Sequence, residues 1–218
     1  MAITKPFEEH TRQYEQWFEK NEFAYQSELA AVRMLLPKEG TGIEIGVGSG
    51  RFAVPLGIRR GIEPAANMRA IAEHRGVLVD NGSAECLPYA DANYDFVLLV
   101  TTICFLDDLD AAFREIYRVL SPAGCVVIGF VDKESSLGRL YEKYRENSVF
   151  YRHATFYSVD EVTEHLERNS FGGCEYNQTV FTMPDMMHAV EPVKQGYGEG
   201  SFVVIRARKK GAVRDHEL

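Results

Sequence analysis

Cysteine is scarce in this chain of 218 residues, and the four present, Cys86, Cys104, Cys125 and Cys174, stand far apart. No C-x-x-C pair occurs and no histidine lies near them at ligand spacing, so neither a disulfide framework nor a metal site is expected. They read as small, mostly buried apolar residues in a reducing compartment. Long apolar runs are also missing: none reaches the roughly 20 residues that cross a bilayer, and the first ten residues lack the apolar core of a secretion signal. A cytoplasmic protein without membrane attachment is the resulting expectation. Positive charge is short too. A formal net charge of -8 argues against a protein that tracks phosphates along nucleic acid, which needs a basic surface to release counterions. Internal repeats and low-complexity tracts are absent, and the length suits one α/β domain with accessory segments.

What is present is a nine-residue signature, Gly42-Ile43-Glu44-Ile45-Gly46-Val47-Gly48-Ser49-Gly50. It reads as a buried strand running into a glycine-rich turn, where alternate glycines remove the Cβ atoms that would keep a ligand from the backbone. Glu63 follows the next apolar run, Gly57 to Ile62, and its carboxylate is suited to accept from a ribose diol. Together these indicate a nucleoside-bearing cofactor. A dinucleotide turn of the G-x-G-x-x-G type needs a third small residue five positions after the first; counted from Gly46, that position is Arg51. The plain alternative is a tight strand-to-helix turn without a ligand.

Along the chain, Tyr14, Phe18, Tyr25, Leu29, Val32 and Leu36 form the stripe of an amphipathic helix or a broken helix pair, ended by Pro37. Pro64 opens a helix that carries Met68, Ile71 and Ala72 inward and closes at Gly76; Val77-Leu-Val79 is a short strand. Phe96 to Val100 is continuously apolar, as expected of a parallel strand covered on both faces. Asp107 or Asp108 caps a helix bearing Leu109, Phe113, Ile116 and Leu120, and Cys125 to Val131 is another central strand. This alternation implies a parallel sheet with crossover helices. Lys133 to Phe171 reads as polar and helical; two strands, roughly Cys174 to Thr182 and Phe202 to Lys209, then flank a loop from Met183 to Gly200 and suit an antiparallel edge pair.

The pattern Glu44-x-Gly46-x-Gly48-x-Gly50 with Glu63 resembles motif I and its acidic partner in class I S-adenosylmethionine-dependent methyltransferases. Gly82-Ser-Ala-Glu-Cys-Leu-Pro-Tyr89 looks like that family's adenine segment, Tyr94-Asp95-Phe96 like the opening of its fourth strand, and Arg118-Val-Leu-Ser-Pro-Ala-Gly124 like its turn before the fifth. The likeness covers residues 42 to 131, and the rest by topology alone. It implies an α/β three-layer sandwich: a doubly wound seven-stranded sheet of order 3-2-1-4-5-7-6, strand 7 antiparallel, with an N-terminal helical cap. In that frame the single domain divides into a cap (1–40), a cofactor-binding core (41–131), a helical insertion (132–171), an edge hairpin (172–210) and a disordered tail (211–218).

The resemblance further implies S-adenosyl-L-methionine as cofactor, bordered by Glu44, Gly46, Gly48 and Gly50, with Glu63 on the ribose hydroxyls and Ala84 offering its N–H to adenine. Ser83 stands where the family often has an acid for the adenine amino group, and Ala123 where a second glycine is usual. Tyr14 and Trp17 are candidates for a lid over the cofactor, or else for core packing of their helix. Arg12 or Arg51 could pair with the cofactor carboxylate, or be solvated. For the acceptor side, Thr101 and Thr102 follow directly on Val100; His153, with Tyr151 and Tyr157, and His188, with Met183, Met186 and Met187, are candidates for a general base and a pliable wall. The function expected is methyl transfer to a small molecule bearing an N, O, S or C nucleophile, an amine fitting the acidic balance, with the insertion and the 183–200 loop helping to enclose it. Oligomeric state is not legible. The alternatives are a nicotinamide-dependent oxidoreductase, weakened by Arg51 and by the absence of a Tyr-x-x-x-Lys pair, and a non-catalytic protein that binds the adenosyl cofactor.

Overall fold

The computed structural model describes residues 4–211. Its N-terminal part is helical: α1 (Lys5–Glu9), α2 (Thr11–Lys20) and α3 (Glu22–Leu35). The apolar stripe is therefore a broken pair. The break is at Asn21, whose backbone leaves the helical region and whose side-chain amide adds a second bond to the Trp17 carbonyl, securing the end of α2.

Strands and helices then alternate: β1 (Gly42–Ile45), α4 (Ala53–Leu56), β2 (Arg60–Ile62), α5 (Ala66–His74), β3 (Leu78–Asp80), β4 (Tyr94–Val100), α6 (Leu109–Val119) and β5 (Leu120–Val131). The chain continues through α7 (Ser136–Tyr144), α8 (Val159–Arg168), β6 (Phe171–Thr179), β7 (Lys194–Gln195) and β8 (Phe202–Lys209). Asp108 is the residue that caps α6, accepting from the Ala111 N–H; Ser158 and Glu161 form a reciprocal capping box on α8.

The sheet has eight strands in the order β3-β2-β1-β4-β5-β8-β6-β7. Strands β1 to β5 are mutually parallel, and β8 runs antiparallel between β5 and β6. This is the expected order with one addition. The extra strand, Lys194–Gln195, lies in the segment read as a loop and pairs with Asn177 and Gln178 of β6; two residues are too few to show an alternation. Strand β6 begins and ends three residues earlier than expected, because a bulge between Gly172 and Glu175 starts it and Val180, at φ 60°, turns the chain away. Strand β5 reaches back to Leu120, which pairs with Tyr94 across a second irregularity. Of the tail, residues 212–218 lie outside the described residues.

The continuous apolar run in β4 divides by parity. Val97 and Leu99 join Ile43, Ile45, Phe113 and Leu166 on one face, while Leu98 and Val100 join Leu29 and Val32 of α3 and Phe202 and Val204 of β8 on the other. Both faces are covered, so both parities must be apolar. Each such side chain contributes roughly 1.5–3 kcal/mol on burial. Helix α3 supplies part of the second layer, which makes the N-terminal segment structural as well as a cover.

Candidate active site

All the parallel strands from β1 to β4 end at one rim, and the loops that leave them converge there. The site lies where strand order reverses, between β1 and β4, with β1 and β4 paired from Gly42↔Phe96 to Glu44↔Leu98. After β1 the chain cannot rise straight into a helix: Gly46 and Gly48 have φ of 67° and 54°. A Cβ on Gly46 would overlap the Thr102 side chain, standing 2.6 Å from its Oγ1, and one on Gly48 would stand 3.2 Å from the Tyr14 hydroxyl. A side chain is thus excluded at Gly46 both by dihedral and by space, and at Gly48 chiefly by dihedral. The turn is tied to β2 by the Gly46 and Val47 N–H groups, which donate to the Ile62 carbonyl at 2.9 and 3.1 Å.

Glu63 leaves β2 into this turn. One carboxylate oxygen accepts from the Gly48 N–H at 3.0 Å and the other from the Ala65 N–H at 2.9 Å. Burial pushes its carboxyl above the ordinary value, and the two backbone donors oppose that. A carboxylate oxygen has two lone-pair directions, so each keeps one for a ligand. Two adjacent acceptors beside a cradle without Cβ atoms fit the diol of a ribose.

A cavity of about 410 Å³ opens over this rim. Its walls include Gly46, Gly48, Glu63, Ser83, Ala84 and Met68 on the strand side, and Thr101 and Thr102 after β4. Thr102 Oγ1 donates to the Val100 carbonyl at 3.0 Å, and Thr101 is held at φ 50°, a strained setting for a β-branched residue. Phe7, Tyr14 and Trp17 from α1 and α2 close it from above, and Tyr141, Phe150 and Tyr151 from the side. These rings interlock: Phe7 lies 5.0 Å from Phe105 and 5.4 Å from Phe150, and Tyr141 stacks on Tyr151 at 4.9 Å. Glu8 anchors the cover by accepting from the Ala66 and Asn67 N–H groups at the start of α5.

The sequence-derived candidates divide accordingly. Tyr14, Trp17, Gly46, Gly48, Glu63, Ser83, Ala84, Thr101 and Thr102 share the cavity wall. Glu44 does not: it is 2 % exposed, lies beneath the turn, and one of its carboxylate oxygens has no partner among the described residues. Gly50 also lies off the wall, where a Cβ would only meet Val77 and Ala72 at 3.4–3.5 Å. His153 and His188, expected as base candidates, are not among the residues of the cavity wall. Both are exposed and neither reaches the wall, since the turn at Tyr151–His153 directs Tyr151 inward and the next residues outward. No residue of the 183–200 loop lines the cavity either. Arg51 is engaged by Glu15, which also binds Arg75, and Arg12 is exposed; neither is on the wall. Cys86 is exposed, contrary to the buried setting expected of it, while Cys125 is buried and Cys104 and Cys174 are half-buried.

Two groups of wall residues were not singled out from sequence. The rings of Phe7, Phe105, Tyr141 and Phe150 are dispersed over the chain and converge only through the fold. Glu28 is the other: it sits three residues after Tyr25 and four before Val32, inside the apolar stripe of α3, and that misplaced charge was the available signal.

Residues 43–128 match the model of a methyltransferase domain family. An uncharacterised protein of Methanocaldococcus jannaschii is 41% identical over 203 residues, 93% of this chain and 98% of that protein. A ubiquinone/menaquinone biosynthesis C-methyltransferase of Rubrivivax gelatinosus is 39% identical over 101 residues, 43% of this chain and 40% of that enzyme. Among solved structures, a Thermotoga maritima protein described as a SAM-dependent methyltransferase, possible histamine N-methyltransferase, is 51% identical with a TM-score of 0.94, over 95% of this chain and all of that one (100%). The oxidoreductase alternative is set aside by these relationships, as the Arg51 position already suggested. Cradle, paired acceptors, strand order and relatives agree: this chain belongs to the class I S-adenosylmethionine-dependent methyltransferases.

Proposed function

We propose that the protein methylates a small organic amine inside the aromatic-walled cavity. Support comes first from the way the cavity over the cofactor cradle continues between Thr101, Tyr141 and Tyr151, so that a ligand there meets aromatic and hydroxyl groups. The amine is favoured by the description of the T. maritima relative, which is over half identical along nearly the whole chain.

In this reading the open side of the Gly46–Gly48 turn receives the cofactor, Glu63 takes its ribose diol, Ser83 and Ala84 flank its adenine, and Tyr14 and Trp17 cover it. Bound there, S-adenosylmethionine supplies a methyl group already activated on a sulfonium, so the protein provides no nucleophile. Its residues align the acceptor and keep water out. Thr101 and Thr102 face the acceptor, and the cap (1–40) with the insertion (132–171) encloses it. No helix among the described residues is long and apolar enough to cross a membrane; we place the reaction in the cytoplasm, where the four unpaired thiols stay reduced.

Calorimetry with S-adenosylhomocysteine tests the cradle. The wild type binds it, and Glu63→Ala weakens binding by about 1–3 kcal/mol through loss of charged hydrogen bonds; an unchanged affinity would remove Glu63 from the site. Transfer of labelled methyl from S-adenosylmethionine to a panel of small amines, phenols and thiols tests the acceptor. Label appearing on phenols or thiols and never on amines would replace the amine reading.

A further inference from the structure

Glu28 is the anomaly of the cavity. It projects from the middle of α3, is 4 % exposed, and belongs to the cavity wall. No hydrogen bond or ion pair is made by its carboxyl among the described residues. The contrast is with Glu63, a comparably buried acid held by two backbone N–H donors. The neighbouring Ser27 is fully engaged, donating to the Phe23 carbonyl and accepting from the Glu191 N–H. A buried carboxyl without a partner costs stability and is retained only where something else repays it.

Its surroundings say what that is. The titratable groups that feel its charge are Tyr141 of α7 and Tyr151 beyond it, with Tyr25 on its own helix. All are phenols pushed upward by burial, hence neutral, and no cation or second carboxylate alters Glu28 itself. Glu63 and Glu44 act on Tyr14 at the cofactor end and not on Glu28. The cavity wall therefore carries one acid held by backbone donors, Glu63, and another without such donors, Glu28, whose charge is felt by the phenols of Tyr25, Tyr141 and Tyr151. Aromatic faces around a carboxylate make a receptor for an organic cation.

We infer that Glu28 is the acceptor-recognising residue, pairing with the protonated nitrogen of the amine and taking the proton that must leave before methylation. The inference rests on the amine reading above and names the group that enforces it. Empty, the carboxyl is pushed up to about 8 by burial alone, so at neutral pH it is mostly neutral, and an arriving ammonium draws it into the ionised form, its own proton leaving to solvent as the amine enters. The carboxylate then accepts one N–H proton, and the nitrogen recovers its lone pair. That pair forms the N–C bond while the methyl–sulfur bond breaks with its electrons left on sulfur, and the product departs as an N-methylated ammonium.

The test uses the full chain saturated with S-adenosylhomocysteine and measures calorimetric affinities for phenethylamine, histamine and the neutral isostere 2-phenylethanol. Wild type should prefer phenethylamine to 2-phenylethanol by roughly tenfold or more. Glu28→Gln should abolish that preference while leaving S-adenosylhomocysteine affinity within about twofold, and Glu28→Met, of similar reach without a polar head, should do the same. Unaltered amine preference in either variant overturns the inference. So does loss of S-adenosylhomocysteine binding by a variant that melts normally, which would assign Glu28 to the cofactor. If the wild-type complex itself binds neither amine more tightly than the alcohol, the amine reading fails first and the role of Glu28 with it.

Discussion

At the scale of single residues, the site is set by where side chains are forbidden and where charge is isolated. Gly46→Ala drives a Cβ into the Thr102 side chain, 2.6 Å from its Oγ1, at a φ of 67°. The expected cost is about 2–4 kcal/mol from overpacking and left-handed strain combined, read as a lowered melting temperature, and Thr102→Ala in the same chain should restore part of it. No rescue would mean that backbone strain alone decides. Glu28 gives a prediction of pH dependence. Its folded pKa, about 8, lies above the ordinary carboxylate value, so between those values the unfolded chain binds fewer protons than the folded one. Its contribution to stability is complete at acid pH and declines as pH rises through the folded value. Glu28→Gln should therefore raise the melting temperature more at about pH 8.5 than at about pH 5, and a uniform shift would contradict an isolated buried acid. These residues differ in legibility. Gly46, Gly48 and Glu63, all on the cavity wall, stand out in the sequence because a turn that opens its backbone to a ligand demands fixed residue types at fixed spacing. Glu28 does not, since its meaning lies in partners it lacks, which only packing reveals. His153 and His188 could not be placed from sequence, because histidine chemistry says nothing about direction.

At the scale of elements, α1 is held over the cavity by few bonds, whereas α2 is tied down by Glu15 on Arg51 and Arg75 and by the buried Phe18. Glu8 caps the first N–H groups of α5, and Asn67 returns a bond to the Glu8 carbonyl at 2.9 Å. An acid at a helix N-terminus is worth about 1 kcal/mol, comparable with the hold of so short a helix. Glu8→Ala should therefore speed amide exchange across α1 and raise KM for the cofactor, while exchange in β4 and β5 stays unchanged. Slowed exchange, or a loss shared by the central strands, would show that the cover is not an independent unit. The sequence displayed the apolar stripe of α2 and α3 and left one helix or a broken pair open, since Asn21 is tolerated in a helix and only its bond to Trp17 shows the stop. Strand β7 was hidden for a different reason: its order comes from the ladder of β6.

For the whole molecule, the alternation of strand and helix was readable from residue 42 to 131 because the central parallel strands declare themselves by apolar runs and Asp108 caps α6, whereas the strand order came from the family resemblance. Beyond that point bulges at Gly172/Glu175 and the turn at Val180 shift the edges, and such irregularities have no periodic signature. The N-terminal segment serves two purposes. Residues of α3, among them Ala24, Leu29, Val32 and Leu35, are buried against the sheet. A chain beginning at residue 21 should fold cooperatively, whereas one beginning at residue 37 should expose that face and aggregate; equal solubility of the two would refute the division.

The aromatic cover has a kinetic corollary. Phe7 touches rings on both banks of the cavity, so whatever admits one ligand must release the other's product by the same gate. The prediction is that opening of this cover paces turnover, so that added viscogen slows the steady state while leaving a pre-steady-state burst intact.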